Sequence, residues 1–320
     1  MKAVFRLALV IAAALCVSAN VNAQRYPDKP VRVVVPFPSG GALDVLCRTA
    51  TIKLSEMMGQ QFVVENRPGA TGHLGSEAVA KSKPDGYTLL CGASSTYVVS
   101  PHVMKINYDP LKDLTSIGML AQAYNVLVVN PTVPARDLGE FIAYAKANPG
   151  KLSYGSYGIG SNIHLATELF KLMAGLDMVH VPYASPQVVP DLVTGRIQVM
   201  IANLPQVVEY VRGGKLRLLA IASPDRVPEL PGVPNMQDTL PGFSVIAWGA
   251  LFLPAGAPRE IADTLSAELR KLLESPDVKA TFAKSGFVPY SWSAEETNAF
   301  IRAEFARWGK VVKDANIKVE

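Results

Sequence analysis

The chain has 320 residues, of which 49% are hydrophobic, and its 31 lysines and arginines nearly balance 27 aspartates and glutamates. A length of this order predicts two domains, each of about 150 residues and able to bury a sizeable core. Because the charge is nearly balanced and the basic residues form no block, nucleic acid is not an expected partner.

The N-terminus has the pattern of a secretory signal peptide. Lys2 and Arg6 stand at the start of an apolar run at residues 7–17, and small residues lead to a cleavage site after Ala23. The run is shorter than the stretch of about 20 apolar residues that spans a bilayer, which disfavours a membrane anchor. We therefore predict an exported, periplasmic chain that begins near Gln24.

Two cysteines, Cys47 and Cys91, follow the predicted cleavage site. An oxidising compartment would allow them to form a disulfide. Two buried thiols fit the sequence equally well, because the distance between the side chains cannot be read from it. The histidines and cysteines show no metal-ligand spacing, so we expect no metal and no cofactor.

Short apolar runs alternate with helical patterns from residue 31 onward. The first cycle predicts strands at 31–35, 62–65 and 88–91, with helices at 42–58 and 74–81. A second cycle from Tyr124 predicts strands at 126–129, 152–156, 178–181, 199–201 and 216–222, with helices at 137–148, 162–174, 190–194 and 204–213. Such alternation predicts parallel sheets with helices on both faces.

The last third of the chain has a different pattern. A proline-rich stretch at 224–242 precedes a strand at 248–253, helices at 258–275 and 294–315, and a short extended run at 286–289. We expect this part to return to the first unit. The predicted organisation is a signal peptide at 1–23, domain I at 24–123 plus 248–320, and domain II at 124–247.

Two loops rich in glycine and serine, at 36–44 and 155–161, each join a predicted strand to a helix. Ligands of open α/β sheets bind beyond the carboxyl ends of strands, and a helix N-terminus favours an anion. Facing each other across a cleft, the two loops could surround one carboxylate with neutral donors, without the expense of burying a cation. The simpler alternative is that both loops are tight turns without a ligand.

The second loop does not match a nucleotide site. Ile163 stands where a dinucleotide fingerprint needs its third glycine, and the loop has no P-loop lysine. His164 follows in the first turn of a helix, where a structural role is the simpler interpretation. Asp44, beside the first loop, either caps its helix or accepts a hydrogen bond from a ligand amine or hydroxyl.

An alternative function is a secreted serine hydrolase, with Ser156 or Ser161 as the nucleophile and His164 as the base. A third group to orient the histidine stands at no recognisable spacing, and no G-x-S-x-G elbow is present. A third alternative is a sensory or adhesive module that binds a protein partner.

Several motifs, in this order along the chain, resemble the Bug family of periplasmic solute receptors, also called the TctC family of binding proteins for tripartite tricarboxylate transporters. The motifs are YPDKP at 26–30, PFPSGG at 36–41, ENRPGA at 65–70, KPDGYTL at 83–89, YAKANPGKL at 144–152, YGS at 154–156, HVPY at 180–183 and PAG at 254–256.

The resemblance implies an α/β, two-domain periplasmic binding protein of type II (Venus-flytrap) with the ligand cleft between the domains. It implies a receptor, not an enzyme, that acts as a monomer, binds a small carboxylate and delivers it to the permease subunits of a tripartite tricarboxylate transporter. The implied contact residues are Phe37, Pro38, Ser39, Gly41, Asp44, Ser94, Ser95, Thr96, Ser156, Gly160, Ser161, His164, Tyr183, Ala184, Ser185 and Asn203.

The sequence departs from the family pattern at two places in the expected second-domain wall. Ala184 and Ser185 stand where a basic residue and a glycine are usual, and Ala202 precedes Asn203 where the family commonly has aspartate. Loss of that aspartate weakens the case for a cationic or amino-acid ligand. The carboxylate cradle is expected to survive, but the group that binds the far end of the ligand is altered.

Overall fold

The structure is a computed structural model that describes residues 26–183, 187–224, 226–227, 230–284 and 286–314. The predicted signal peptide and its cleavage site lie outside the described residues, as do Ala184 and Ser185. Among the helices of the described part, we find none with both the length and the hydropathy needed to cross a membrane.

The described residues form strands and helices in the alternation that the sequence predicts. The strands are β1 (Val31–Val35), β2 (Phe62–Asn66), β3 (Thr88–Ala93), β4 (Leu114–Ala123), β5 (Asn125–Val129), β6 (Ser153–Ser156), β7 (Val179–Pro182), β8 (Val199–Asn203), β9 (Arg217–Ile221), β10 (Ala247–Pro254) and β11 (Phe287–Pro289). The helices are α1 (Ala42–Met58), α2 (His73–Ala80), α3 (Leu138–Ala147), α4 (Asn162–Ala174), α5 (Val188–Val193), α6 (Leu204–Arg212), α7 (Arg259–Glu274), α8 (Pro276–Lys284) and α9 (Ala294–Asp314).

Two sheets organise these elements. The first has the strand order β11-β4-β10-β3-β1-β2, and the second has the order β7-β6-β8-β5-β9. Helices α1, α2, α7, α8 and α9 pack on the first sheet, and α4, α5 and α6 pack on the second. We call the first sheet with its helices the first lobe and the second sheet with its helices the second lobe.

The valine-rich strand β1 is buried because helices cover both faces of its sheet. Val33 belongs to the apolar cluster that contains Leu46 of α1 and Leu269 of α7. Its neighbour Val34 points to the opposite face and belongs to the cluster that contains Val79 of α2. Each fully buried valine contributes about 1.5–3 kcal/mol, so this strand anchors helices on both faces of the first sheet.

The chain passes from the first sheet to the second between β4 and β5 and returns between β9 and β10. Asn125, which is completely buried, ties the two crossings together. Its N–H donates to Ser223 Oγ at 2.9 Å, and its Nδ2 donates to the Val245 carbonyl at 3.2 Å. The two connecting segments are therefore held as one unit at the junction of the lobes.

Both sheets are mixed, so the expectation of parallel sheets is only partly right. Strand β1 is parallel to β2 and β3, but β10 is antiparallel to β3 and β4, and β5 is antiparallel to β8 and β9. The sequence prediction also lacks β4 and α8. Strand β4 escapes a pattern search because Ser116, Gly118 and Gln122 interrupt its apolar run, although the strand is almost wholly buried between β10 and β11.

The boundaries of domain I and domain II, as predicted from the sequence, stay a prediction. The strands of the first sheet lie between residues 31 and 123 and between 247 and 289, and those of the second lie between 125 and 221.

Candidate functional site

The first glycine–serine loop leads from β1 into α1 and is held in shape by Asp44. The Asp44 carboxylate is only 2% exposed. It accepts hydrogen bonds from the Gly40 N–H at 2.9 Å, from Arg48 Nε at 2.9 Å and from Asn66 Nδ2 at 2.8 Å, with Ser39 Oγ at 3.4 Å. A carboxylate has about four positions that can accept a hydrogen bond. The four donors around Asp44 occupy them, so none is left for a ligand.

Electrostatics fix the charge state of Asp44. Burial alone would raise the pKa of this carboxyl, but hydrogen bonds from Arg48, Gly40 and Asn66 outweigh burial and hold the pKa below its ordinary value. Asn66 also donates to the Phe37 carbonyl at 3.0 Å. Asp44 and Asn66 thus form the support of the loop, which favours the structural interpretation of Asp44 over acceptance from a ligand amine.

Phe37 and Thr96 meet at Gly72, which brings two of the predicted loops together. Gly72 has a φ of +90°, and a Cβ there would lie 2.5 Å from Thr96 Oγ1 and 3.2 Å from Phe37 Cε2. Thr96 Oγ1 donates to the Thr71 carbonyl at 2.8 Å. Thr71 itself has a φ of +53°, a left-handed conformation that is a genuine outlier for a β-branched residue. The position therefore needs the glycine and stores backbone strain.

Ser94, Ser95 and Thr96 follow β3, where the chain makes a short helical turn over Ser95–Val99. Ser94 and Thr96 are buried, and Ser95 is half-buried. Ser94 Oγ accepts from the Trp248 N–H at 3.4 Å, which connects this segment to the start of β10. We call residues 94–99 the β3 turn.

In the second lobe, Ser156 holds the second glycine–serine loop. Its Oγ lies 2.7 Å from His180 Nε2 and 3.1 Å from the Gly158 carbonyl, and it accepts from the Gly158 N–H at 3.2 Å. The Ser156 carbonyl accepts from the Tyr183 N–H at 3.0 Å. Ser156 is completely buried, and its hydrogen bonds hold the start of the loop in place.

The loop ends at the N-terminus of α4, where Ser161 is the helix cap. Ser161 Oγ accepts from the His164 N–H at 3.2 Å, and the His164 Nδ1 accepts from the Gly160 N–H at 3.2 Å. A capping serine of this kind contributes about 0.5–2 kcal/mol. Both side chains are buried, so the first turn of α4 is rigidly set.

The histidines beside this loop are neutral at physiological pH. His164 and His180 stack with ring centroids 4.1 Å apart. Burial lowers the pKa of His164, and burial together with the neighbouring His164 lowers the pKa of His180 to about 4. The polar groups near the N-terminus of α4 therefore act as neutral hydrogen-bonding groups.

The other contact residues predicted in the second lobe have fewer described contacts with the two loops. Tyr183 donates its hydroxyl to Asp191 at 2.8 Å, and its carbonyl lies 3.8 Å from the position of a Cβ on Gly158. Asn203 is the residue before α6, and its Oδ1 is buried without a partner among the described residues. Ala184 and Ser185 lie outside the described residues.

The two lobes meet at these loops. The β3 turn of the first lobe packs against α4 of the second. Gly160, with a φ of +77°, approaches the first lobe so closely that a Cβ there would lie 3.3 Å from Val103 Cγ2 and 3.4 Å from Met104 Sδ. Phe37 and Thr96 therefore meet within the first lobe, the β3 turn that carries Thr96 packs against α4, and Gly160 approaches the segment that follows this turn.

The first loop and the residues around the start of α4 differ in their exposure to solvent. Pro38, Ser39 and Gly41 are exposed, and Phe37 is half-buried. By contrast, Thr96, Ser156, Gly160 and Ser161 are buried. The loop in the first lobe thus faces solvent, while the groups around α4 are covered in this conformation.

Several residues that build this site are not among the contacts predicted from the sequence, although Asn66 and His180 stand in two of the quoted motifs. Asn66 and Arg48 hold the first loop, Thr71 accepts from Thr96, and His180 binds Ser156. Asn162 opens α4 with a buried, unpaired amide. The parallel register that places Asn66 beside Val35 is a pairing that the pattern of a single sequence does not reveal.

The geometry does not assemble the serine hydrolase considered above. The ring of His164 binds the Gly160 N–H, and Ser161 Oγ binds the backbone of His164, not its ring. Ser156 does pair with a histidine, but that residue is His180, and the serine is completely buried. The Ser156 hydroxyl is bound to both His180 and Gly158, so in this conformation the pair holds the loop.

The fold defines a two-domain α/β binding protein of the type II periplasmic class. The sequence model of the TctC family, described as "Tripartite tricarboxylate transporter family receptor", matches residues 46–317. The chain therefore belongs to the Bug/TctC family, whose members are solute-binding receptors.

Similar proteins extend over nearly the whole chain. BugT of Bordetella pertussis is 38% identical over 308 residues, which cover 95% of this chain and 94% of BugT. The structure of R. palustris Rpa4515 with adipate has a TM-score of 0.85 at 35% identity and covers 92% of this chain and 99% of that chain. MatC (Rpa3494) from Rhodopseudomonas palustris with bound malate has a TM-score of 0.81 at 31% identity and covers 90% of this chain and all of that chain, 100%.

Proposed function

We propose that the chain is an extracytoplasmic solute receptor that binds one small carboxylate between its lobes and performs no chemistry on it. It then delivers this ligand to the permease subunits of a tripartite tricarboxylate transporter. Two structural neighbours hold dicarboxylates, adipate in one and malate in the other, which supports an acid of this class as the ligand.

The observation that carries the proposal is that α4 of the second lobe packs against the β3 turn of the first lobe, while Gly160, just before α4, approaches Val103 and Met104 of the first lobe. A helix N-terminus stabilises an anion by about 0.3–1 kcal/mol when exposed and by up to ~2 kcal/mol when partly buried. The hydroxyl groups of Thr96 and Ser161 lie on the two sides of this junction. Because the adjacent histidines are neutral, the carboxylate would be bound by neutral donors.

The proposed ligand contacts fall into three groups of residues with different surroundings. Asp44 contributes by shaping the first loop, and Ala184 and Ser185 remain predictions from the sequence. The set is Phe37, Pro38, Ser39, Gly41 and Asp44 from the first loop, Ser94, Ser95 and Thr96 from the β3 turn, and Ser156, Gly160, Ser161, His164, Tyr183, Ala184, Ser185 and Asn203 from the second lobe.

Ligand entry requires the lobes to separate, since Thr96, Ser161 and His164 are buried in the described conformation. The crossings tied together at Asn125 provide the place about which the lobes can rotate. We propose that domain I (24–123 plus 248–320) and domain II (124–247) open and close about this junction, in a monomer that works in the periplasm without a cofactor.

The test is a binding screen with protein that has been unfolded, dialysed and refolded to remove any bound ligand. Mono-, di- and tricarboxylates are added one at a time, and heat of binding and the thermal midpoint are measured. We expect 1:1 binding of at least one acid, with a stabilisation of about 2.7 kcal/mol at a hundredfold excess over Kd. If none of the acids binds, the proposal is wrong.

The same protein preparation tests the hydrolase alternative. Carboxylic esters and amides are incubated with the wild-type chain and with Ser156→Ala and Ser161→Ala. We expect no turnover beyond the background rate in any sample. Turnover by the wild-type chain that disappears in one of the two variants would replace the receptor proposal with the enzyme.

A further inference from the structure

Asn162, the first residue of α4, carries an amide that the surrounding protein does not satisfy. The residue is 6% exposed, and both its Nδ2 and its Oδ1 are buried without a hydrogen-bond partner among the described residues. Buried polar groups in proteins are nearly always paired, and an unpaired amide opposes burial. An apolar residue of similar size would avoid this cost, so the amide needs an explanation.

Asn162 lies two residues after Gly160, which approaches the first lobe. Ser161, immediately before Asn162, caps the helix, and a Cβ on Gly160 would lie 3.3 Å from Val103 Cγ2 and 3.4 Å from Met104 Sδ of the first lobe. The other end of α4 is turned inward, because Phe170 packs against Phe141 and Phe243. We place the proposed carboxylate site at the N-terminal end of α4, because Gly160 approaches the first lobe there and α4 packs against the β3 turn.

The chemistry of the amide selects the kind of ligand group. Nδ2 donates and Oδ1 accepts, so both atoms are satisfied by a group that can also donate and accept, such as a hydroxyl. A carboxylate only accepts and would leave Oδ1 facing a negative charge. The nearby His164 and His180 are neutral and offer no positive charge that would compensate for a second carboxylate here.

We propose that Asn162 contacts the ligand and makes the receptor prefer a hydroxy acid over the matching acid without the hydroxyl. This inference rests on the proposed function, because it assumes that a carboxylate binds at the α4 N-terminus. The hydroxyl donates to Oδ1 and accepts from Nδ2 when the lobes close on the ligand.

The experiment uses pairs of acids that differ in one hydroxyl group: malate with succinate, lactate with propionate, and 3-hydroxybutyrate with butyrate. Binding of each is measured by calorimetry to the ligand-free wild-type chain, to Asn162→Leu and to a control variant, Asn148→Leu. Asn148 stands at the end of α3, whose Phe141 stacks on Phe170 of α4, and its Nδ2 donates to the Tyr144 carbonyl. The thermal midpoint of each ligand-free variant shows that it is folded.

We expect the wild-type chain and Asn148→Leu to bind the hydroxy acid of a pair at least about tenfold more tightly. In Asn162→Leu this preference should fall below about threefold, while the acid without the hydroxyl keeps its affinity. Ligand-free Asn162→Leu should unfold at the same temperature as the wild type or higher.

Three outcomes would overturn the inference, and they can be told apart. If the wild-type chain binds an acid but shows no preference within any pair, or if Asn162→Leu keeps the preference, the role of Asn162 is wrong and the receptor function stands. If the wild-type chain binds none of the six acids or the wider set of carboxylates, the proposed function fails as well.

Discussion

The Oγ of Ser156 lies 2.7 Å from Nε2 of His180, at the base of the loop that leads into α4. The same Oγ accepts from the Gly158 N–H, so one hydroxyl group joins strand β7 to the loop. Because parallel pairing places β6 beside β7, the two residues are neighbours across the sheet although 24 positions separate them in sequence. This bond sets the position of the donors that we assign to the carboxylate.

Replacing Ser156 by alanine should weaken carboxylate binding by about tenfold or more. The variant loses the bonds to His180 and Gly158 and leaves the half-buried imidazole of His180 without this partner, which costs up to about 1–3 kcal/mol. Calorimetric titration with whichever acid binds the wild-type chain measures the effect. Ser153→Ala, in the same strand, is the control, because the described bonds of Ser153 use its backbone N–H and carbonyl and not its side chain. Equal affinity in the wild type and Ser156→Ala would contradict this role.

Gly72→Ala should impair both stability and binding. Position 72 has a φ of +90°, and the new Cβ would press on Thr96 Oγ1 and Phe37. Gly256→Ala is a matched control with a φ of +85° and no atom within 4 Å of its Cβ. Both variants pay about 1–2 kcal/mol for the left-handed backbone, but only Gly72→Ala disturbs the predicted contacts.

Urea unfolding and calorimetry measure the two effects of Gly72→Ala separately. We expect a larger loss of stability than in Gly256→Ala and a lower affinity for the acid in Gly72→Ala alone. If the two variants behave alike, the close approach of Phe37, Gly72 and Thr96 does not matter for the site.

The structure joins Cys47 of α1 to Cys91 of β3 in a disulfide, with the Cα atoms 6.3 Å apart. The bond closes a loop across 44 positions and connects the two elements that follow or precede the predicted contact loops. Removing it should lower the free energy of unfolding by about 2–4 kcal/mol, chiefly through the greater freedom of the unfolded chain.

The double variant Cys47→Ala/Cys91→Ala, unfolded in urea beside the oxidised wild type, tests this prediction. The wild-type chain treated with a reductant should show the same loss, while the double variant should not respond to the reductant. Two free thiols in the non-reduced, purified protein would show that the bond does not form.

Stability should fall as the pH is lowered from about 6.5 to about 4. His73 is 5% exposed and lies between Tyr108 and Ser100, with distances of 3.0 Å to Tyr108 Oη and 2.7 Å to Ser100 Oγ. Burial lowers its pKa to about 4 from an ordinary value of 6.5. In this pH range His73 is protonated in the unfolded chain but stays neutral in the folded chain, so acidification favours unfolding.

For His73 the loss is on the order of 2–3 kcal/mol across this range, and it is complete near pH 4. Thermal midpoints are measured from pH 8 to pH 4. The histidines should cause no change in the midpoint above about pH 7, and the midpoint should decline below it. His73→Gln should show a shallower decline than the wild type. A midpoint that rises on acidification would have the wrong sign for this account.

Local patterns predict the first half of each lobe well. The helices at 42–58 and 162–174 begin and end where the sequence places them, because glycine or serine stands before each helix and glycine after it. The sequence also identifies the loops after β1 and β6 as candidates for the site. These features depend on neighbouring residues, so a single sequence contains them.

Other parts of the fold depend on contacts between distant residues. Strand β4 is buried by β10 and β11, which come more than 120 positions later, and its own composition is too polar to predict it. The bond from Asn66 to Asp44 and the pair of Ser156 with His180 arise from strand pairing. The unpaired amide of Asn162 is visible only when its surroundings are known, since asparagine at the start of a helix is unremarkable in a sequence.

The central claim is tested most directly by a crystal structure of the complex with a dicarboxylate that binds in solution. The complex is prepared by soaking or co-crystallising protein from which any bound ligand has been removed. We predict a carboxylate between the lobes, with an oxygen 2.7–3.2 Å from the Ser161 hydroxyl or the Asn162 backbone N–H at the α4 N-terminus and further contacts from the β3 turn. A ligand bound outside this junction, touching neither the α4 N-terminus nor the β3 turn, would contradict the account.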